Sequence, residues 1–493
     1  MYFLRILEEP FVQDLLVDSK INVYIVGGMV RDSLLGVESQ DYDIVIEGIT
    51  DENLAARLER FGRIVPIIGR TFGVIKFMPD FSQITLDIAL PRREWYEVGQ
   101  RRKNAVVETK NVRILDDLAR RDFTINAMAI DLRKMKELQI DSGHLEKIIL
   151  DPFGGLKDLH DKIIRAVGLP DERFLEDPTR ILRGIRFAIR FGFTIDAETL
   201  ISMKRLHHEI TKKFLTPLGN WSERVSFEMI GQEFIRTFGV NPVRTLDFYN
   251  ETGLLKLFFP ELENEKGIEQ PPEFHEEGDV FTHTRLALSK LAQNASLTVK
   301  LAVLFHDVGK VYTFTPISKT RDRIRFNNHD VVGAEKAKEI MRRLRLPDHL
   351  IHDVSWLVRQ HIKLSFSFPH MRLDKKKRFA REPLFPQLLE LVCADALASI
   401  HKNQPKNCHF LKSARATLEI VEREKAEGVP TEIINGDDII KLLKEIQPNF
   451  NSVEEGRKIG RIKQMVNSKY DLGEIKTKRE AQLWVKKNLR SFG

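Results

Sequence analysis

Residues 22–32 read Asn22-Val23-Tyr24-Ile25-Val26-Gly27-Gly28-Met29-Val30-Arg31-Asp32, and after a short link residues 41–46 read Asp41-Tyr42-Asp43-Ile44-Val45-Ile46. The first apolar run has the composition of a strand. Gly27-Gly28 then makes a turn that opens a helix over residues 30–35. Glycine lets backbone approach a phosphate closely, and a helix N-terminus offers free N–H groups and a positive dipole. Arg31, in the first turn, can reach a triphosphate bidentately. On the following strand Asp41 and Asp43 point to one face, about 6.5–7 Å apart along it. Two such carboxylates repel unless cations lie between them, and Mg²⁺ favours carboxylates together with substrate phosphates. A later strand, Thr85-Leu86-Asp87-Ile88-Ala89, sets a lone acid among apolar neighbours. A buried, unpaired carboxylate is costly, so Asp87 is expected to complete a metal cradle.

The bulk properties agree with a soluble, multidomain chain. At 493 residues it is too long for one ordinary core, and 42% hydrophobic with 30% charged residues excludes a disordered protein. No window approaches 18 uncharged apolar residues, the N-terminus lacks a signal-peptide pattern, and only Cys393 and Cys408 are present. These features imply no membrane span, no disulfide framework and a reducing, cytoplasmic setting. The net charge of +7, with basic runs such as Arg342-Arg343-Leu344-Arg345 and Lys375-Lys376-Lys377-Arg378, suits a polyanionic partner, RNA above all.

Residues 1–150 alternate β-branched runs with helical stretches. From Arg165 onward the hydrophobic period is close to 3.6 and stays helical to the end. Gly267–Gly278, with Pro271-Pro272, reads as a linker, and Ser365–Pro369 and Gly428-Val429-Pro430 as further breaks. The expected architecture is an α+β multidomain protein. Its parts are a head over 1–150, a helical neck over 151–270, a third domain over 271–410 and a basic helical tail over 411–493.

Further stretches give the first site its context: Arg120-Arg121-Asp122-Phe123-Thr124-Ile125-Asn126-Ala127, Asp151-Pro152-Phe153-Gly154-Gly155 and Glu176-Asp177-Pro178-Thr179-Arg180. Taken with Gly27–Asp32 and Asp41–Asp43, they resemble, in order, the motifs of class II tRNA nucleotidyltransferases and bacterial poly(A) polymerases, members of the polymerase-β nucleotidyltransferase superfamily. The resemblance covers residues 20–195. It implies a polymerase-β-like head, Mg²⁺ held by Asp41 and Asp43 with Asp87 beside them, ATP and CTP as candidate substrates, and tRNA as partner. It also implies that protein side chains, not a template, select the base.

A helix over 177–191 makes that selection physically sensible. Ile181, Leu182, Ile185 and Ile189 form one apolar stripe, with Arg180, Arg183, Arg186 and Arg190 opposite and expected to be left for phosphate or base. Asp177 and Arg180, three apart, can meet the amine and ring nitrogen that adenine and cytosine share, or form a plain helix ion pair. The resemblance assigns these two positions, and Arg121, to the nucleotide together with Gly27 and Gly28; Arg183 and Arg186 are candidates for the nucleotide or for the head–neck junction. Asp116, Asp117 and Asp122 invite a metal reading, but Asp122 beside Arg121 and Phe123 suits a cap or an arginine partner.

The second half carries His283, His306-Asp307 at the end of an apolar helix, His329, His361 and Asp395. Imidazoles with carboxylates suit a divalent transition metal more than Mg²⁺. The set resembles the HD phosphohydrolase domain, with His283, His306, Asp307 and Asp395 at the ligand positions and His329 and His361 as further members. The entry His275-Glu276-Glu277-Gly278-Asp279-Val280-Phe281-Thr282-His283 looks like the segment joining the two activities in long bacterial tRNA nucleotidyltransferases. Ile434-Asn435-Gly436-Asp437-Asp438 and residues 456–465 resemble the family's RNA-binding tail.

The reading that results is a template-independent enzyme that adds AMP, with CMP a further candidate, to a tRNA 3′ end. Pro178 and Asp41–Gly48 look like A-adding and poly(A) enzymes, whereas the HD domain and Ala127-Met128-Ala129 look like tRNA-tailing ones. Met229 stands where the family commonly has arginine. Two other readings stay open: a bacterial poly(A) polymerase, and a metal-dependent HD phosphohydrolase whose N-terminal half mainly binds RNA.

Overall fold

The structure, a computed structural model, describes residues 6–37, 42–65, 74–80, 84–95, 106–138, 146–215, 220–271, 275–317, 323–400, 409–447, 450–451 and 455–489. The chain forms two compact units, Met1–Pro260 and Glu261–Gly493.

The first unit is built on a seven-stranded sheet of β1 (Asn22–Val26), β2 (Tyr42–Glu47), β3 (Gly62–Val65), β4 (Val74–Pro79), β5 (Leu86–Ala89), β6 (Ala129–Asp131) and β7 (Ile149–Leu150). Their order is β3-β4-β5-β2-β1-β6-β7, and only β2 and β5 run parallel. Both faces are covered, which is why β1 and β2 read as nearly continuous apolar runs. On one side Phe11 of the helix Pro10–Val17 meets Phe77 edge-on at 5.2 Å. On the other, Tyr24, Val26, Val45 and Ala129 pack with Ile114 and Leu118 of the helix Ile114–Ala119. Asp43, Val45 and Glu47 share that second face. Glu47 Oε2 accepts the Ile114 N–H at 2.9 Å and so fixes the start of the covering helix.

The neck helix Thr179–Phe191 starts two residues later than expected, because the Asp177 carboxylate accepts the Thr179 N–H at 3.0 Å and ends the preceding turn. Its apolar stripe, Ile181, Leu182, Ile185 and Ile189, is buried as the period requires. Each such side chain contributes roughly 1.5–3 kcal/mol on burial.

In the second unit the helices Val280–Ser289, Leu297–Phe305, His329–Arg343, Asp348–Ile362 and Phe385–Ala398 form one bundle. The tail helices Gly436–Ile446, Gly456–Asp471 and Lys478–Asn488 enclose a core of their own around Ile439, Leu443, Ile462 and Val485. Arg381 ties the two parts together with a two-pronged bond to Asp471 at 2.7 and 3.1 Å.

Two expectations need amending. The helical run is interrupted by short ladders, Thr194–Ile195 with Ile163–Ile164, Lys213–Leu215 with Trp221–Glu223, and Phe314–Thr315 with Arg325–Phe326. The stretch around Ser365–Pro369 is no break: Lys363–Ser367 is a π-helical turn that continues the preceding helix into the 3₁₀ turn Phe368–His370.

Candidate functional site

Asp43 and Asp87 are direct partners in the parallel β2–β5 register. Paired residues on adjacent strands share a face, and the strands lie about 4.8 Å apart. Asp41 lies outside the described residues. Beside the acids, Gly27 sits at φ +70°, and a Cβ built there would lie 3.6 Å from Asp43 Oδ2 and 2.5 Å from Arg121 Nη1. Only glycine leaves room for Arg121 to cross the turn that opens the helix Gly28–Leu34. Arg121 is held there by Asp117, whose Oδ2 accepts from Nη2 at 3.1 Å. Burial pushes the Asp117 carboxyl up, but the Arg121 and Arg120 charges outweigh it and hold it below the usual carboxylate range.

The expectation that Asp87 is buried and unpaired is corrected. Its side chain is 39% exposed and bound to Lys76 Nζ at 2.6 Å. The antiparallel β4–β5 register sets Lys76 directly opposite Asp87, a pairing that strand composition does not reveal. A cation therefore already stands beside the two acids, which is the charge that a metal would otherwise supply.

The arginines expected to be left for ligand are largely engaged with the protein. Arg180 Nη1 donates to Glu176 Oε2 at 2.8 Å and Nη2 to the Arg120 carbonyl at 2.8 Å. Asp177 Oδ1 caps Thr179 through its amide and hydroxyl. Arg186 Nε donates to Glu233 Oε2 at 2.7 Å. Arg183 grips Asp122 Oδ2 through Nε at 2.8 Å and Nη2 at 2.6 Å, so it bridges neck and head. Asp122 also accepts the Phe123 N–H, as a local cap does. Burial raises its carboxyl, yet the Arg183 charge and the Asn126 hydrogen bond hold it well below the usual range. Arg31 is only 4% exposed, bound to Asp32 and Asn126. The role of Asn126 was not legible from composition; its only signal is its place in the 120–127 stretch.

In the second unit His283, His306, Asp307, His329, His361 and Asp395 converge from five segments. His283 Nε2 lies 3.0 Å from Asp395 Oδ1 and 3.8 Å from Asp307 Oδ2, and His306 Nε2 lies 3.2 Å from Asp307 Oδ2. His329 Nε2 is 3.6 Å from Asp307 Oδ1. Two ligand-competent groups, His283–His306–Asp307 and Asp307–His329–His361, share Asp307. The Nδ1 atoms of His306, His329 and His361 donate to the carbonyls of Val303, Phe326 and Val358 at 2.8, 2.8 and 2.6 Å. That turns each Nε2 inward as a metal ligand requires. The buried Nε2 atoms of His306 and His329 have no hydrogen-bond partner among the described residues.

Burial alone would lower the His306 imidazolium, but the Asp307 charge raises it well above its usual value. Asp307 is pushed up by burial and then held well below the carboxylate range by His306 and Lys310. His361, buried beside other imidazoles, is pushed down to about 3 and stays neutral. Without an ion the two ionised acids draw their positive charge from His306; inward-turned Nε2 atoms and paired carboxylates fit a divalent transition metal whose charge would replace that proton.

Three neighbours escaped the sequence reading. Glu277 was assigned to a linker, yet its carboxylate is buried: Oε1 accepts from His275 Nδ1 and His283 Nδ1, each at 2.7 Å, and Oε2 from the Ile400 N–H at 2.9 Å. A glutamate shortly before a ligand histidine is the one signal it offers. Lys310 Nζ reaches Asp307 Oδ2 and Gln270 Oε1, each at 2.7 Å. Glu265 is fully buried, neither oxygen meets a donor among the described residues, and burial, then the Asp307 charge, raises its carboxyl well above the usual range. Gly309, two residues after Asp307, packs its Cα so tightly on the helix His329–Arg343 that a Cβ would overlap the His329 carbonyl.

Comparison with known proteins places both regions in known domain families. Residues 23–165 match the Poly A polymerase head domain, and residues 280–398 the HD domain. The chain is 31% identical over 440 residues to the multifunctional CCA protein of Acinetobacter baumannii, covering 86% of this chain and 95% of that one. It is 34% identical over 385 residues to its namesake from Burkholderia vietnamiensis, covering 76% and 85%. The crystal structure of the Bacillus stearothermophilus CCA-adding enzyme in complex with CTP shares the fold, with a TM-score of 0.61 at 19% identity over 98% of each chain. No helix among the described residues is long and apolar enough to cross a membrane. A polymerase-type head whose paired acids flank a glycine turn, a helical neck and an HD domain thus occur together, and the chain belongs to the tRNA nucleotidyltransferase family of multifunctional CCA proteins.

Proposed function

We propose that this protein builds or repairs the CCA end of tRNA by template-independent transfer of CMP and AMP from CTP and ATP, in the cytoplasm. The observation that carries the reading is the Asp43–Asp87 register beside Gly27. On this reading Asp41, Asp43 and Asp87 would hold Mg²⁺, while Gly27, Gly28 and Arg121 would face the triphosphate. When bound, the metal supplies Lewis-acid stabilisation of the attacking and leaving oxygens. The tRNA 3′-hydroxyl attacks the α-phosphorus and pyrophosphate leaves. Reading the amine and ring nitrogen common to adenine and cytosine falls to Asp177 and Arg180, which requires Arg180 to exchange Glu176 or the Arg120 carbonyl for the base, and Arg183 and Arg186 keep the neck in place for them. The roles fall to a head (1–150), a neck (151–270), an HD domain (271–410) and a tail (411–493) that grips RNA by phosphate and shape.

The test uses tRNA ending at the discriminator base, at C or at CC, with labelled CTP or ATP. Stepwise growth to CCA is expected. Addition of A alone to the CC-ending substrate reduces the reading to an A-adding enzyme, and long A tails make it a poly(A) polymerase.

The second unit supports a second activity. We propose that His283, His306, Asp307 and Asp395, with His329 and His361, hold a divalent transition metal for phosphoester hydrolysis. Cyclic 2′,3′-phosphates at RNA ends and small nucleotides are the substrates to try. The support is the inward-facing Nε2 atoms of His306 and His329, which have no hydrogen-bond partner among the described residues. Opening of the cyclic phosphate to a 2′- or 3′-monoester, or phosphate release from a small nucleotide, that is lost in His306→Ala and Asp307→Ala while nucleotide addition persists is the expected result.

A further inference from the structure

Gln270 reaches the second centre from outside the matched HD domain, which begins at residue 280. The stretch that carries it, expected as a linker, is clamped to the first helix of that domain, Val280–Ser289. The Gly267 N–H donates to Asp279 Oδ2 at 2.8 Å, and the Val280 N–H to the Ile268 carbonyl at 3.2 Å. Gln270 itself is only 4% exposed. Its Oε1 accepts from Lys310 Nζ, and the same ammonium donates to Asp307 Oδ2, each at 2.7 Å. One cation therefore links this amide to a ligand position of the HD centre. Lys310 is held from a third side by Phe326, whose ring centroid lies 5.2 Å from Nζ.

An ammonium only donates, so the amide oxygen of Gln270 must face Lys310 and the nitrogen is left for something else. That nitrogen, Nε2, is buried with no hydrogen-bond partner among the described residues. An amide donor left unmet inside a protein is costly. Once Asp307 shares its charge with a metal, the Lys310 ammonium also has charge to spare. Donors without acceptors, one of them cationic, suit the non-bridging oxygens of a phosphoryl group. Burial, then the Asp307 charge, keeps Glu265 protonated, so its bare oxygens set no charge against an anion. We infer that Gln270 is a substrate-binding residue of the HD centre: its Nε2, with Lys310 Nζ, holds the phosphoryl group of the ester beside Asp307. The inference rests on the proposed hydrolase reading and deepens it.

Calorimetric binding of orthophosphate to the full chain loaded with Ni²⁺ or Mn²⁺ tests it, with binding of the metal measured alongside. Gln270→Met removes the Nε2 donors and adds no charge. Gln270→Glu removes them too but keeps an oxygen for Lys310. Phosphate affinity should fall about tenfold in the first and about thirtyfold in the second, as loss of a hydrogen bond to a charged group does. Metal affinity should not fall in either. A loss in Gln270→Met cannot come from added charge, and a loss in Gln270→Glu cannot come from a missing prop for Lys310. Wild-type phosphate affinity in either variant overturns the inference. So does recovery of affinity in Gln270→Glu over Gln270→Met, which makes Gln270 a prop and nothing more. A metal affinity that falls in step with phosphate affinity, or a parent protein that binds metal but no orthophosphate, overturns it as well. Should one variant not fold cooperatively, the other decides on the same two readouts. Should the parent bind phosphate yet cleave neither cyclic 2′,3′-phosphates nor small nucleotides, the hydrolase reading fails by itself, and phosphate binding still judges Gln270.

Discussion

Asp43 and Asp87 face each other across the one parallel pairing of the head sheet, with Lys76 bonded to the outer of the two. Parallel pairing matters because it brings two strand residues to one end of the sheet from segments more than forty positions apart. The consequence for catalysis is direct. Asp43→Asn and Asp87→Asn should each lower nucleotide addition by about a thousandfold or more, the several kcal/mol expected when a metal-holding charge is lost. tRNA affinity, measured by filter binding, should change little, because phosphate contacts elsewhere supply it.

Lys76 competes with the metal for Asp87. Lys76→Met should therefore lower the Mg²⁺ concentration that half-saturates addition by about fivefold, from the ~1 kcal/mol of a unit charge near 4 Å in water. The pair is partly exposed, so thermal stability should shift by no more than about 1 kcal/mol. An unchanged Mg²⁺ titration would remove Lys76 from the account of the site.

Glu277 acts on the HD centre through His283. Accepting from Nδ1, it keeps the Nε2 lone pair turned inward, and through the Ile400 N–H it anchors the end of the helix that carries Asp395. Glu277→Ala should weaken Ni²⁺ or Mn²⁺ binding, measured calorimetrically, by about 10–100-fold. Glu277→Gln, which can still accept from His283, should recover part of that loss.

Glu265 predicts a pH dependence. Unfolded, it ionises near its ordinary 4.5; folded, burial keeps it protonated well above that value. The native state then binds the extra proton, so stability falls as pH rises from 4.5 toward the folded value. Glu265→Gln keeps the shape without the titration. It should match the parent below pH 4.5 and melt higher at pH 7–8, on the order of a few °C. Melting curves that stay parallel over the whole range would rule out a neutral Glu265.

Much of this was readable in the chain before any coordinates. The strands around Val23–Val26 and Ile44–Ile46 announce themselves because both sheet faces are covered, and the stripe from Ile181 to Ile189 because only one helix face is. The six HD residues could be grouped because their order along the chain resembles the HD phosphohydrolase domain; their chemistry alone says only that they suit a transition metal. What stayed hidden was pairing between distant segments. Nothing local to Asp87 says that Lys76 stands across from it, and nothing local to Arg183 says that it closes on Asp122. Charge on a helix face reads as available until its partner is known, which is why Arg180 and Arg186 were expected open and proved bound. Glu277 was lost for a different reason: prolines and a glycine around it signal a connection, and a connection can still bury one side chain.

The missing side chain at Gly309 has a last implication. Main chain rests on main chain between the segment that ends in His306-Asp307 and the helix that His329 begins, so the spacing of these ligands is set by backbone contact while hydrogen bonds at each Nδ1 set the rings. The centre is preassembled, unlike a zinc finger that collapses without its ion. Stripping the ion with a chelator should leave an intact bundle ready to reload, and enlarging Gly309 to alanine should do what the chelator cannot, prising the two halves of the coordination sphere apart for good.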